Sequence, residues 1–158
     1  EFILALLNDP AFLRFIGDKG IRTLADARKY ITHGPMEMYA RLGFGLYLVE
    51  LRDGAIPIGL CGLIKRDGLD DVDIGFAFLP DFRAKGFAYE AAYATMEYGK
   101  DALGLKRIVA ITSPDNEASG KLLKKIGLRF ERMIRLSEGA EEVRLFTYNP
   151  ASDKAEVV

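Results

Sequence analysis

Tryptophan is absent from the 158 residues, and cysteine and histidine occur once each. A lone cysteine, Cys61, excludes an intramolecular disulfide, so nothing in the sequence calls for an oxidising compartment. One cysteine and one histidine fall short of a structural zinc site, and no metal is expected. No apolar run is long enough to span a bilayer, and no secretory signal pattern is present. A cytoplasmic protein without a membrane partner is therefore the default. With a net charge of −1 there is no reason to expect nucleic acid as a partner. The rest is ordinary: 49% hydrophobic and 28% charged residues, in a chain long enough to bury about two thirds of its unfolded surface. That describes one globular domain over residues 1–150, followed by a tail, 151–158, with little to bury and an expectation of mobility.

The first half reads as helices and then strands. Ile3 to Leu7 has helical spacing and stops at Asn8-Asp9-Pro10, and Phe12 to Ile16 resumes it until Gly17. Thr23 with Asp26 resembles a capped helix start whose apolar face ends near His33-Gly34-Pro35. Met36 to Leu42 suits another short helix. Leu46 to Val49 is strand-like, Asp53-Gly54 is a hairpin signal, and Ile56 to Ile64 returns as a second strand. Gly59 and Gly62 inside it suggest a bulge or a close backbone contact. Asp67-Gly68 turns the chain into Asp73-Ile74-Gly75-Phe76-Ala77-Phe78, completing an antiparallel meander.

The stretch from Asp73 to Glu90 organises the remainder. An apolar strand stops at Pro80, and Arg83-Ala84-Lys85-Gly86-Phe87-Ala88 opens an alanine-rich helix. A strand feeding a helix start through a loop with glycine is an anion-binding geometry. The first N–H groups of a helix lack internal partners, and the helix dipole makes that end positive. Arg107 to Thr112 is a continuous apolar run, as a buried central strand requires, and the crossover rule sets it parallel to the Asp73 strand. Asn116 to Ile126 forms a further helix, and Leu128 to Leu136 with Val143 to Tyr148 a closing hairpin.

Three signals fall in order: a strand followed by Arg83-x-x-Gly86-x-Ala88, a strand ending in Ser113-Pro114-Asp115-Asn116-x-x-Ser119, and a helix closing with Lys124-Lys125-Ile126-Gly127-Leu128-Arg129-Phe130-Glu131. Together they resemble the GNAT (Gcn5-related N-acetyltransferase) superfamily, and Asp73-Ile74-Gly75-Phe76 with Asn116-x-x-Ser119 looks like the branch containing ribosomal-protein N-terminal acetyltransferases. The resemblance implies an α/β fold: one mixed, mostly antiparallel sheet with a central splayed parallel pair and helices on both faces. The family usually has one more strand ahead of the first helix. Because the chain opens without methionine and already in helical spacing, that strand is expected upstream.

The resemblance further implies that acetyl-CoA is the co-substrate. Its pyrophosphate would lie on the N–H groups of Ala84, Lys85, Gly86, Phe87 and Ala88, with Arg83 and Lys85 nearby. Its pantetheine arm would pair with the main chain of Phe76, Ala77 and Phe78, Asn116 would bond the arm, and Ser119 would sit near the sulfur. The acceptor amine would attack the thioester directly. Asn116, Ser119 and Asp73 are the candidate catalytic residues. Each also has a plainer role: helix cap for Asn116, helix-start bond for Ser119, solvated strand residue for Asp73. Glu37 and Tyr39 are candidate acceptor-pocket residues or simply exposed helix positions. His33 reads as a helix end and Cys61 as core.

Many relatives carry a glutamate and a tyrosine where this chain has Ile111 and Leu123, neither able to move a proton. A lysine amine near 10.4 costs roughly 4 kcal/mol to deprotonate at neutral pH, an α-amine near 8 only about 1. A site without a strong base therefore favours an α-amine of a protein, peptide or amino-acid-like acceptor. A polyamine or aminoglycoside acceptor, and a non-catalytic acyl-CoA-binding module, are the alternatives. Monomer and homodimer are both compatible with the sequence.

Overall fold

The computed structural model describes residues 1–150; the tail over 151–158 lies outside the described residues. Five short helical segments come first. α1 (Phe2–Leu7) and α2 (Pro10–Phe15) meet at Asp9, whose carboxylate caps α2 by accepting from the N–H groups of Ala11 and Phe12. α3 (Leu24–Ile31) begins with a complete capping box between Thr23 and Asp26. The chain does not break at His33-Gly34-Pro35, as the sequence suggests. It passes through one π-turn, Thr32–Met36, directly into α4 (Glu37–Leu42). Pro35 has no N–H and its ring displaces the carbonyl one turn back, and a widened turn absorbs both effects. His33 is thus inside a continuous helical path, with its Nδ1 against the Lys29 carbonyl at 3.0 Å.

Six strands follow: β1 (Leu46–Glu50), β2 (Pro57–Ile64), β3 (Asp73–Phe78), β4 (Ile108–Thr112), β5 (Arg129–Ile134) and β6 (Val143–Tyr148). They form one sheet in the order β1-β2-β3-β4-β6-β5. All neighbours are antiparallel except β3 and β4. The connection between those two is α5 (Phe87–Asp101), and α6 (Glu117–Lys125) joins β4 to β5.

Alternation along the strands separates two cores. Ile74 of β3, Ala110 of β4 and Phe146 of β6 pack with Ala92 and Met96 of α5 and Leu123 of α6. On the opposite face Leu60 and Ala77, which are sheet partners, pack against Ile3, Leu6, Phe12 and Ala27 from α1 to α3. Helices therefore cover both faces, and Cys61 is core, buried beside Thr95. The two glycines of β2 mark close approach, and the pairing irregularity lies beside Gly59: Val49 pairs with Gly59 and Glu50 with Pro57, which leaves Ile58 as the extra residue in β2. A Cβ on Gly62 would lie 2.0 Å from the Gly45 carbonyl oxygen and 2.8 Å from the Leu46 Cα. Both obstacles are backbone, so Gly62→Ala must push β1 off the sheet. It is expected to lower the unfolding free energy by about 3 kcal/mol or more, read by urea denaturation. A loss below about 1 kcal/mol would show that β1 moves freely.

Candidate active site: a cleft between two parallel strands

β3 and β4 touch at one point. Asp73 pairs with Val109, and the Val109 N–H donates to the Val72 carbonyl at 3.0 Å; beyond that the strands separate. The side each residue bonds on follows from two hydrogen bonds. The Val72 carbonyl faces β4, while the Leu79 N–H faces β2 by donating to the Ile58 carbonyl at 2.9 Å. Main-chain polar groups alternate along a strand, so those of Ile74, Phe76 and Phe78 point toward β4, and those of Gly75 and Ala77 toward β2. By the same alternation Val109 and Ile111 face β3. Past the single bridge, the Phe76 and Ile111 main chains look into the gap without a strand partner. Of the expected Phe76-Ala77-Phe78 rail, Ala77 is committed to β2.

The top of β3 runs through a short 3₁₀ turn, Pro80–Phe82, into the loop before α5. Ala84 and Gly86 both have left-handed backbone, with φ of 55° and 89°. These conformations turn successive N–H groups to one side, as in an anion nest. The first main-chain bond into α5 is from the Glu90 N–H to the Gly86 carbonyl, at 3.0 Å, so the N–H groups of Phe87, Ala88 and Tyr89 lack intrahelical acceptors. A Cβ on Gly86 would meet nothing within 4 Å, so the space beside it is open. Lys85 is exposed there. Arg83 is not: its Nε donates to the Phe78 carbonyl at 2.9 Å, and its Nη2 pairs with Asp9 at 2.5 Å. It fastens the loop instead of standing free beside it.

On the other lip, Asn116 caps α6, its Oδ1 accepting the Ser119 N–H at 3.2 Å, while its carbonyl accepts from Arg144 at 2.7 Å. The cap uses the amide oxygen alone. The Asn116 amide nitrogen and the Ser119 hydroxyl make no hydrogen bond among the described residues, and both residues are half-buried. Arg144 also donates to the Thr112 hydroxyl at 3.0 Å, fixing the end of β4 to the start of α6. Leu123 is fully buried in the core. Ile111, half-buried, has its side chain on the opposite face from Ala110 and so points toward the α1–α3 side. Glu37 is exposed on α4. Tyr39 donates its hydroxyl to the Leu46 carbonyl and stacks on Tyr47 at 5.2 Å.

Asp73 is not solvated. It is 1% exposed at the closed end of the cleft, and Arg66 donates its Nε to both carboxylate oxygens at 3.1 Å. Burial pushes its carboxyl up from 3.8 to about 6, with the Arg66 charge and hydrogen bonds offsetting only part of the rise.

α2 bridges the two lips. Its capping residue Asp9 holds Arg83 on the β3 side, and Arg14 holds Asp115 on the β4 side at 2.9 Å. Burial raises the Asp9 carboxyl, but the Arg83 hydrogen bond and the N–H groups of Phe12 and Ala11 outweigh it, and its pKa ends below 3.8. Nothing in the sequence signalled these pairings, although Asp9 before Pro10 is legible as a cap. Among the described residues no group of three or more His, Cys, Asp or Glu side chains is placed to hold a metal.

A fold with a single splayed parallel pair, an anion loop at one lip and an asparagine-capped helix at the other is that of a CoA-dependent acyltransferase. The model of the "Acetyltransferase (GNAT) domain" matches residues 1–129, and the chain belongs to that family. It is 43% identical over 137 residues to the uncharacterised N-acetyltransferase YoaA of Bacillus subtilis, covering 85% of this chain and 76% of YoaA. A GNAT-family acetyltransferase structure from Bacillus anthracis superposes with a TM-score of 0.74 at 26% identity, covering 94% of this chain and 87% of that one. Two further structures, both at 16% identity, share the fold. One is RimL, a ribosomal L7/L12 α-N-protein acetyltransferase with CoA (TM-score 0.70, covering 83% and 75%). The other is a spermidine N-acetyltransferase from Vibrio cholerae with CoA and spermine (0.74, covering 92% and 86%).

Asp73 gives this site a pH signature. Its folded pKa lies above the unfolded value, so the folded state holds the proton more tightly. The stability it contributes is full below about pH 4 and falls as pH rises through 6. Relative to Asp73→Asn, the wild-type unfolding free energy is expected to drop by about 2–3 kcal/mol between pH 4 and pH 7. Parallel stability curves for the two proteins would refute this.

Proposed function

We propose that the chain transfers an acetyl group from acetyl-CoA directly to an α-amine of a protein, peptide or amino-acid-like acceptor. The observation that carries this reading is the pair of open main-chain lips joined to an anion loop. Acetyl-CoA supplies the activated acetyl group. The N–H groups from Ala84 to Ala88 take its pyrophosphate, with exposed Lys85 adding charge and Arg83 holding the loop in shape. The Phe76 and Phe78 N–H groups and the Phe76 carbonyl offer the arm a strand-like edge, which suits a peptide-like chain. From the opposite lip, the Asn116 amide nitrogen donates and the Ser119 hydroxyl lies within the same half-turn. The Phe76 N–H is also the donor best aimed to polarise a carbonyl at the base of the cleft.

Three observations favour an α-amine. Ile111 and Leu123 leave the usual proton-transfer positions apolar, and Leu123 is sealed in the core. Asp73 has both oxygens on Arg66 and acts through that arginine, as a positioning residue. The acids that a polyamine acceptor would need are dispersed: Glu37 is exposed on α4, Asp71 is held by Arg107 at 2.9 Å, and Asp73 by Arg66.

Titration calorimetry with acetyl-CoA tests the cofactor claim. Gly86→Asp places a carboxylate in the open space and is expected to weaken binding about 100-fold, roughly 2.7 kcal/mol. Unchanged binding would refute the loop assignment. Thiol release across a panel of N-terminal peptides, amino acids and polyamines tests the acceptor. The expected result is turnover of α-amines above polyamines, and tight CoA binding with no turnover at all would indicate a binding module.

A further inference from the structure

α5 carries two exposed tyrosines in its first two turns. Tyr89 is 43% exposed and Tyr93 49%, and their rings lie 6.0 Å apart, tilted by 32°. Four positions apart, they share one face of the helix, and three other residues show where that face points. Thr95 turns toward β2, its hydroxyl 3.3 Å from the Cys61 Sγ. A Cβ on Gly99 would meet both Leu63 of β2 and Ile108 of β4, so Gly99 looks straight down on the sheet. Lys100 turns the other way, its Nζ 5.0 Å from the centre of the Tyr148 ring in β6. Tyr93 and Tyr89 precede Lys100 by about two and three full turns, and so lie in line with it. Both rings therefore face the β4–β6 side of α5, where α6 packs through Leu123 against Ala92 and Met96.

The facing side of α6 follows in the same way. Gly120 is turned to β6, since a Cβ there would lie 3.1 Å from the Arg144 guanidinium, and Leu123 faces the core. Ser119 and Leu122 occupy the other flank, toward α5, and both are half-buried. The groove between α5 and α6 thus has two phenol rings on one wall and a leucine with a serine on the other. Further down α5, Glu97 and Lys100 neutralise each other at 2.5 Å. The upper end of the groove adjoins the anion loop. Tyr89 lies in the first turn of α5, and its N–H is among those without an intrahelical acceptor. Helical side chains lean toward the N-terminus, so both rings tilt toward that loop.

We infer that this groove takes the adenine of the acyl donor, with Tyr89 and Tyr93 as its stacking surface and Leu122 opposite. The inference rests on the reading that acetyl-CoA places its pyrophosphate on the loop from Ala84 to Ala88. A nucleotide tethered to that pyrophosphate leaves the cleft along one flank of α5. On the other flank Phe87 is already packed on Phe82, and Ala91 and Ala94 follow. Adenine is flat and uncharged at neutral pH, and stacking on an aromatic ring suits any purine because every base has a π-face. Selection of the donor follows. A phosphopantetheine arm without a nucleotide, as on a carrier protein, gains nothing from the groove, so free CoA thioesters are favoured over carrier-bound ones.

The test titrates two donors that share one thioester, acetyl-CoA and acetyl-phosphopantetheine, by calorimetry. Combining Tyr89→Ala with Tyr93→Ala is expected to weaken acetyl-CoA about tenfold and to leave acetyl-phosphopantetheine unchanged. Tyr93→Phe keeps the ring and should bind acetyl-CoA as the wild type does. Both positions are exposed, so the double variant is expected to unfold in urea at the wild-type midpoint. A second readout reports the base itself. CoA carrying etheno-adenine loses fluorescence when its base lies on an aromatic ring, so quenching is expected on the wild type and its loss on the double variant. Equal acetyl-CoA affinity in the two proteins, equal losses for the two donors, or unquenched etheno-CoA on saturated wild type overturns the adenine site and leaves the loop assignment standing. If the wild type binds neither donor, the cofactor reading falls and the adenine site with it.

Discussion

The single bridge between Asp73 and Val109 is the constraint on which the rest depends. Had β3 and β4 zipped together, the Phe76 and Ile111 main chains would have satisfied each other and left no edge. Each strand is paired along its far side, so the only main-chain groups left open are those that face the seam. β2 pairs with β3 along its length from Asp73 to Phe78, and β6 pairs with β4 from Ile108 to Thr112. The sheet is thus two halves joined at one point, with main-chain polar groups left open at the seam. Unpaired main-chain groups are tolerable only where water or a ligand reaches them, and a cleft open at one end meets that condition.

A seam held at one end needs its opening fixed at the other, and α2 supplies this with two unequal ties. Asp9 is buried and already fixed by the cap it makes, so its pair with Arg83 loses little side-chain entropy. Arg83 in turn holds the Phe78 carbonyl and keeps the β3 lip and its anion loop as one piece. Arg14 and Asp115 are both more than half exposed, a kind of pair worth under about 1 kcal/mol and screened by salt. The β3 lip is therefore the rigid wall and the β4 lip the compliant one. Arg144, tying Thr112 to the Asn116 carbonyl, makes that second lip move as a unit.

Much of this was legible in the sequence because it depends on local pattern. The capping box at Thr23, the meander, the Gly86 loop and the Asn116 cap each follow from residues a few positions apart. What was hidden depends on register or on distant pairing. Excluding Ala77 from the cleft edge requires knowing which way one residue faces, and a slip of one position reverses the answer. Asp73 looked like a surface acid because its partner, Arg66, lies across a turn that the sequence marks only as Asp67-Gly68. Pro35 looked like a helix end because a proline more often stops a helix than widens it. Arg83 matched the motif, but motif position does not reveal that its side chain is spent on Asp9.

The fate of Leu123 connects the packing to the chemistry. The position sits where α6 meets the sheet, among Ala110, Met96 and Phe146, and it is occupied by a side chain that fills this space. A hydroxyl there would have to find a partner or carry the cost of burial unpaired. A leucine at that point leaves this turn of α6 without a titratable side chain facing the sheet. Ile111, on the other face, is likewise apolar and leaves its main chain open to the cleft.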